Sequence, residues 1–262
     1  MSGSPSSPFY RTLHDSLGQR DRTLAHICPE GDEVALRVLH DYGAMFVGSD
    51  DILPPPACVF TSEDQVSEFQ HAAGVTSATI GDAVIELQPA AMKALVNACA
   101  AAQAEGLEIT PRDGAEAARR SYADTVRLWN SRFLPALEHW TNVGRLQSED
   151  ADRLRALPIN QQVPEVLELE KQGIFFSKDL SKSVLYSIAA PGTSQHIAML
   201  AFDANEFLEA RVRQIMSDHG WFQTVLSDLP HFTFLGLKEN ELPQRGLKPV
   251  EVNNQKFWIP DV

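Results

Sequence analysis

The chain has 262 residues, enough to bury a sizeable core as one large domain or two small ones. Its composition is that of an ordinary globular protein, and a formal net charge of −13 argues against a nucleic-acid-binding face, which needs basic residues. No apolar run approaches the roughly 18–20 residues of a membrane-spanning helix.

In chain order, residues 1–20 read as loose chain with at most a short helix over 9–17. Residues 1–8 are rich in Ser and Pro and lack the basic and apolar regions of a signal peptide. The expected compartment is the cytoplasm if Met1 is the native start, and the periplasm or cell envelope if a leader has been removed. Residues 32–42 carry apolar residues at helical spacing (Val34, Leu36, Val38, Leu39), and 44–47 read as a strand. The prolines at 54–56 break the chain into an extended loop. A short helix over 62–72 is expected, with Ser62 as N-cap and Gln65 completing a capping box. Residues 80–87 read as a strand or a turn into the next helix. That helix starts at Pro89 and runs to about Glu105, ended by Gly106. A short strand over 107–110 precedes a long helix over 115–140, whose apolar face holds Trp129, Phe133 and Leu137 and which Pro135 can interrupt. Short helices follow over 149–157 and 164–171, and 173–186 is mixed. Pro191 and Gly192 mark a turn. A buried strand over 197–202, a helix over 206–219 capped by Asn205 and stopped by Gly220, and strands over 221–225 and 231–235 complete the reading. The aromatics Trp221, Phe222, Phe232, Phe234 and Trp258 read as core or pocket wall. Mixed helices and non-alternating strands imply an α+β fold.

Of three cysteines, Cys99 reads as a small buried apolar residue. Cys28 and Cys58 both adjoin turn-forming residues. A disulfide between them would favour an exported protein, against the alternative of three free thiols.

The chemistry concentrates in two segments, Ser194-Gln195-His196-Ile197-Ala198-Met199-Leu200-Ala201-Phe202-Asp203 and Asp228-Leu229-Pro230-His231-Phe232. Two imidazoles and a carboxylate (His196, His231, Asp203) suffice to hold one catalytic zinc ion with a fourth position open to water. Asp228, three residues before His231, is placed to take a proton from that water. His196 and Asp203 are an odd number of positions apart, so on one straight strand they would face opposite ways; their convergence needs a turn or bulge between them. The other six histidines read as structural or surface residues.

These segments resemble the zinc D-alanyl-D-alanine carboxypeptidases of the VanY type and their dipeptidase and phage endolysin relatives. That family carries Ser-x-His-x-x-Gly-x-Ala-x-Asp and later Glu-x-x-His. Ser194, His196, Ala201 and Asp203 fall on the first pattern, and His231 with Phe232 on the second. Met199 replaces the glycine, Asp228 the glutamate, and Pro230 the tryptophan that often precedes the second His. Aspartate shortens the reach of the base by roughly 1.5 Å, one carbon–carbon bond, and misplacements of about 1 Å can cost ~100-fold in rate.

The resemblance implies a small central antiparallel sheet flanked by helices, as in the DD-peptidase and hedgehog-type zinc peptidase fold, within one domain over 1–262. Residues 76–262 would form the catalytic core and 1–75 an N-terminal extension packed on it. It implies zinc-dependent hydrolysis of the terminal D-Ala–D-Ala bond of a peptidoglycan stem peptide, with no nucleic-acid partner. Another cell-wall peptide bond, or a zinc-containing peptide-binding protein with little activity, are the alternatives. An arginine should bind the substrate carboxylate. Arg112, after the 107–110 strand, and Arg120, in Arg120-Ser121-Tyr122, compete for that role. Ser194 is expected to donate to the substrate or to orient His196.

Overall fold

The computed structural model describes residues 7–262. The reading of residues 1–6 as a Ser/Pro-rich start lies outside them. The fold is α+β, with small antiparallel sheets flanked by helices. The chain divides into two compact units. One comprises Met1–Cys58, Ser67–Arg120 and Gln195–Val262; the other comprises Val59–Val66 and Ser121–Ser194.

In the first unit, the short helix allowed over 9–17 is present and begins at Pro8. Helix α1 (Pro8–Gly18) is capped by the Ser7 hydroxyl, which accepts from the Tyr10 N–H, and Pro8 sits in the first turn where no N–H is needed. It buries Phe9, Leu13 and Leu17. A short helix α2 (Leu24–Ile27) follows, then α3 (Glu33–Tyr42), capped by the Asp32 carboxylate at 2.9 Å from the Ala35 N–H. The expected strand over 44–47 is instead a 3-10 turn, Gly43–Val47, in which every residue is buried. Its run of apolar residues records full burial, which period alone does not assign to a strand. Helix α4 (Glu63–Ala73) begins one residue after Ser62 and belongs in part to each unit.

Strands β1 (Thr76–Ile80) and β2 (Ala83–Leu87) form a hairpin across Gly81 and Asp82; the first of them was not expected. Helix α5 (Pro89–Ala104) matches its expected span closely. The expected strand over 107–110 pairs nowhere, and only Pro111 bridges Ala204. Thr110 is held by a side chain instead, its N–H and hydroxyl donating to the Glu206 carboxylate at 2.8 and 2.6 Å.

The central sheet has three short strands in the order β3-β5-β4: β3 (Ala201–Asp203), β4 (Trp221–Phe222) and β5 (His231–Phe234). Helix α9 (Ala210–Asp218) joins β3 to β4 and starts later than expected, because Asn205 is engaged by Thr110 and Pro111 rather than capping it. Phe202, Trp221 and Phe234 pack ring to ring, so these aromatics are core. A last hairpin, β6 (Leu247–Val252) with β7 (Gln255–Pro260), was not expected. Its two-residue turn, Asn253 and Asn254, has positive φ at both positions (51° and 59°), the type I′ geometry that asparagine tolerates.

The second unit contains α6 (Tyr122–Asn142), α7 (Ser148–Ala156) and α8 (Ile159–Lys171). The long helix therefore starts at Tyr122, later than the expected 115. A capping box of Ser121 and Asp124 stops it there, the Ser121 N–H and hydroxyl donating to Asp124 at 2.9 and 2.7 Å. Pro135 lies inside α6 and Pro164 inside α8 without ending either. Trp129, Phe133 and Phe176 stack in series to make the core of this unit. The turn at Gly192 is as expected: its φ is 76°, and an added Cβ would lie 1.9 Å from the Phe60 carbonyl oxygen. Among the described residues no helix is long and apolar enough to cross a membrane.

Candidate metal centre

Antiparallel pairing sets Asp203 on β3 directly opposite His231 on β5. Their side chains meet, His231 Nδ1 lying 3.0 Å from Asp203 Oδ1. His196 arrives by the turn that the odd spacing demanded. The expected strand over 197–202 exists only from Ala201, and residues 196–199 close a turn with the Met199 N–H donating to the His196 carbonyl at 3.1 Å. Met199 carries the reversal at φ 54°. This left-handed conformation is natural for glycine and costs other residues about 1–2 kcal/mol. The position is the one at which the resembling family has its glycine. Complete burial of the Met199 side chain offsets the strain here.

His196, Asp203 and His231 are all buried, and one potential ligand atom from each lies within 4.8 Å of the other two. The far nitrogens of both rings are committed to acceptors. His196 Nδ1 is 2.7 Å from the Ala118 carbonyl oxygen, which can only accept, so Nδ1 carries the hydrogen. His231 Nε2 is 2.7 Å from Gln195 Oε1. The Gln195 amide is oriented by its own Nε2, which donates to the Tyr42 carbonyl, and Oε1 also receives the Thr233 hydroxyl at 2.6 Å. Thr224 backs Thr233 at 2.7 Å. This network assigns the hydrogen of His231 to Nε2.

In their neutral forms both rings therefore turn a lone pair toward the same carboxylate. His196 Nε2 stands 3.3 Å from Asp203 Oδ2, and His231 Nδ1 stands 3.0 Å from Oδ1. Burial, assisted by the Arg120 charge, pushes the His196 pKa down to about 4, which keeps that ring neutral near pH 7. At His196 acceptor then faces acceptor. A divalent cation bound among the three resolves the conflict, and outer hydrogen bonds to carbonyl-type acceptors are what ligating histidines carry. The buried His-His-Asp group can thus hold a metal ion. Burial pushes the Asp203 pKa up, but the two imidazoles outweigh it and hold the carboxyl well below its usual range.

The two arginines separate in space. Arg120 joins the centre: its Nη2 donates to Asp203 Oδ2 at 3.0 Å and its Nε to the Glu116 carbonyl at 3.0 Å. The Ser121 cap starts the long helix after it, so Arg120 lies in irregular chain ahead of that helix instead of on a solvated helical face. Gln70 secures that segment, its Nε2 donating to the carbonyls of Arg120 and Ile197 at 2.9 and 3.1 Å. Arg112 contributes its backbone, whose N–H donates to the Asp203 carbonyl at 2.8 Å. Its exposed guanidinium lies 5.7 Å from the centre of the Phe207 ring.

Asp228 sits in the loop between β4 and β5. That loop is tightened by the Asp228 N–H donating to Val225 O and the His231 N–H to Asp228 O. The carboxylate is exposed and makes no hydrogen bond or ion pair with the described residues. Its pKa is nonetheless raised, first by the density of protein around it and then by Asp203, against lowering by His231, Arg120 and Arg112. Ser194 is buried and belongs to the second unit.

Gln195, Gln70 and the carbonyls of Ala118 and Tyr42 complete the centre, and the sequence reading did not find them. Only the Ser121 capping box was there to be read, since it starts the long helix after Arg120 and leaves that residue outside it. No family model matches this chain, and no curated protein matches it.

Proposed function

We propose that the chain is a zinc metallopeptidase resembling the VanY-type D-alanyl-D-alanine carboxypeptidases, with His196, Asp203 and His231 as ligands. The observation that carries this reading is the pair of imidazoles with outer nitrogens tied to carbonyl acceptors and inner lone pairs facing one buried carboxylate. Zinc, when bound, supplies Lewis-acid polarisation of the scissile carbonyl and acidifies water to a pKa of roughly 7. Asp228 takes the proton of the attacking water and returns it to the leaving amine; its raised pKa strengthens it as the base. Arg120 is a positioning residue: it holds the Asp203 carboxylate in place and has its guanidinium engaged in doing so. Arg112 is exposed and its charge is felt at Asp228, so it is the arginine available to a substrate carboxylate. The substrate is the D-Ala–D-Ala terminus of a peptidoglycan stem peptide.

The test is D-alanine release from a stem pentapeptide by zinc-loaded protein. Release should be lost in Asp228→Ala with zinc retained, and Arg112→Ala should raise KM more than it lowers kcat. Release from no stem peptide by a fully zinc-loaded wild type would overturn the peptidase reading in favour of a zinc-containing binding protein. Cleavage at another stem linkage would keep the hydrolase and move the bond.

A further inference from the structure

Away from the metal centre, the first unit holds a second pair of reactive groups. Cys28 ends α2, and Cys58 follows the proline-rich loop thirty positions on. Their backbones are tied side by side, the Cys58 N–H donating to the Ile27 carbonyl at 2.8 Å. Each thiol perturbs the other, so the two sulfurs lie near one another. A disulfide needs α-carbons about 4.4–6.8 Å apart, and a backbone hydrogen bond between the segments that carry the two cysteines brings them together. Both thiols are free in this structure and both are buried.

The two thiols are not equivalent. Cys28 lines a cleft of about 790 Å³ whose apolar wall includes Tyr10, Leu13, Leu24 and Leu36; Cys58 does not line it. Solvent-borne reagents therefore reach Cys28 first. The neighbouring thiols shift one another, Cys28 downward and Cys58 upward, which favours Cys28, the one that lines the cleft, as the attacking thiolate. Among the described residues no third His, Cys, Asp or Glu stands in ligating range of the pair, so it lacks the donor set of a zinc site.

We infer that Cys28 and Cys58 form a reversible dithiol–disulfide site that reacts with low-molecular-weight disulfides entering through the cleft at Cys28. The Cys28 thiolate attacks one sulfur of a disulfide RSSR, forming a mixed disulfide and releasing RS⁻, which takes up the Cys28 proton. Cys58 then attacks the Cys28 sulfur; the second RS⁻ leaves and takes the Cys58 proton. The sum is two cysteine thiols and one RSSR converted to one protein disulfide and two RSH, with the protein oxidised and RSSR reduced. The link closes the loop over 28–58 and restricts the unfolded chain.

The experiment incubates the full-length protein, first reduced, in buffers from all-reduced to all-oxidised glutathione. Remaining thiols are alkylated, intact mass is measured, and peptides are mapped. The expected wild-type result is loss of two alkylatable thiols, a peptide linking Cys28 to Cys58, Cys99 still alkylated, and full reversal by dithiothreitol. The melting temperature should rise by roughly 5 °C or more on oxidation. Cys58→Ser should stop at a glutathione adduct on Cys28, and Cys28→Ser should leave Cys58 unmodified. Wild-type thiols that stay alkylatable in all-oxidised buffer would overturn the inference. So would a crosslink through Cys99, or an adduct appearing on Cys58 ahead of Cys28.

Discussion

The buried ligand cluster and the loop that carries Asp228 are only three residues apart at His231, yet they are built in opposite ways. Each ligand side chain is held from behind: His196 by Ala118, His231 by Gln195, Asp203 by Arg120. Asp228 is exposed and its carboxylate bonds to none of the described residues. A metal site gains from rigidity, since ligand atoms fixed in advance lose little freedom on binding. A proton-transferring carboxylate must reach both water and leaving group. The contrast implies that metal binding and turnover separate under mutation.

The widest separation is expected at Asp228. Asp228→Ala should lower D-alanine release by about 10²–10⁴-fold, the usual weight of a general base, while zinc content and stability stay at wild-type levels. Loss of zinc in this variant would break the contrast. Asp203→Ala should lose zinc and release together, and stability with them. It removes a ligand and strands the Arg120 guanidinium in a largely buried position, which should cost about 3–5 kcal/mol in urea unfolding of the metal-free protein. An apo-protein as stable as wild type would show that the ion pair carries little weight. Gln195→Ala touches no ligand atom directly, but frees His231 Nε2; zinc affinity measured by chelator competition should fall about 10–100-fold. The smallest effect is the most diagnostic of the turn. Met199→Gly and Met199→Ala both leave a cavity, but glycine also relieves the left-handed strain. Met199→Gly should therefore be the more stable of the two by about 1 kcal/mol, reversing the usual order of glycine and alanine.

What the sequence made legible follows the same division. The ligands could be read because they lie in short segments of distinctive residue types, and the need for a turn between His196 and Asp203 followed from strand geometry alone. The conformation of Met199 shows what its replacement of glycine requires of the backbone. Gln195 could not be read: its role depends on the Tyr42 carbonyl, 153 positions away. The start of the long helix just after Arg120 was written locally, in Ser121 with Asp124, but apolar periodicity outweighed that cap. The β6–β7 hairpin had its signal in Asn253-Asn254. The strand assigned to 44–47 failed for a different reason, because a fully buried run has no polar face to reveal its period.

The central claim is that three buried side chains are arranged for a cation. Metal content of purified protein loaded with zinc and freed of excess, by mass spectrometry, tests it directly. The account predicts about one equivalent of zinc in the wild type, lost in His196→Ala and retained in Asp228→Ala. A wild type that holds no zinc or other divalent metal after loading would contradict it, and would leave His196, Asp203 and His231 as a hydrogen-bonded core cluster.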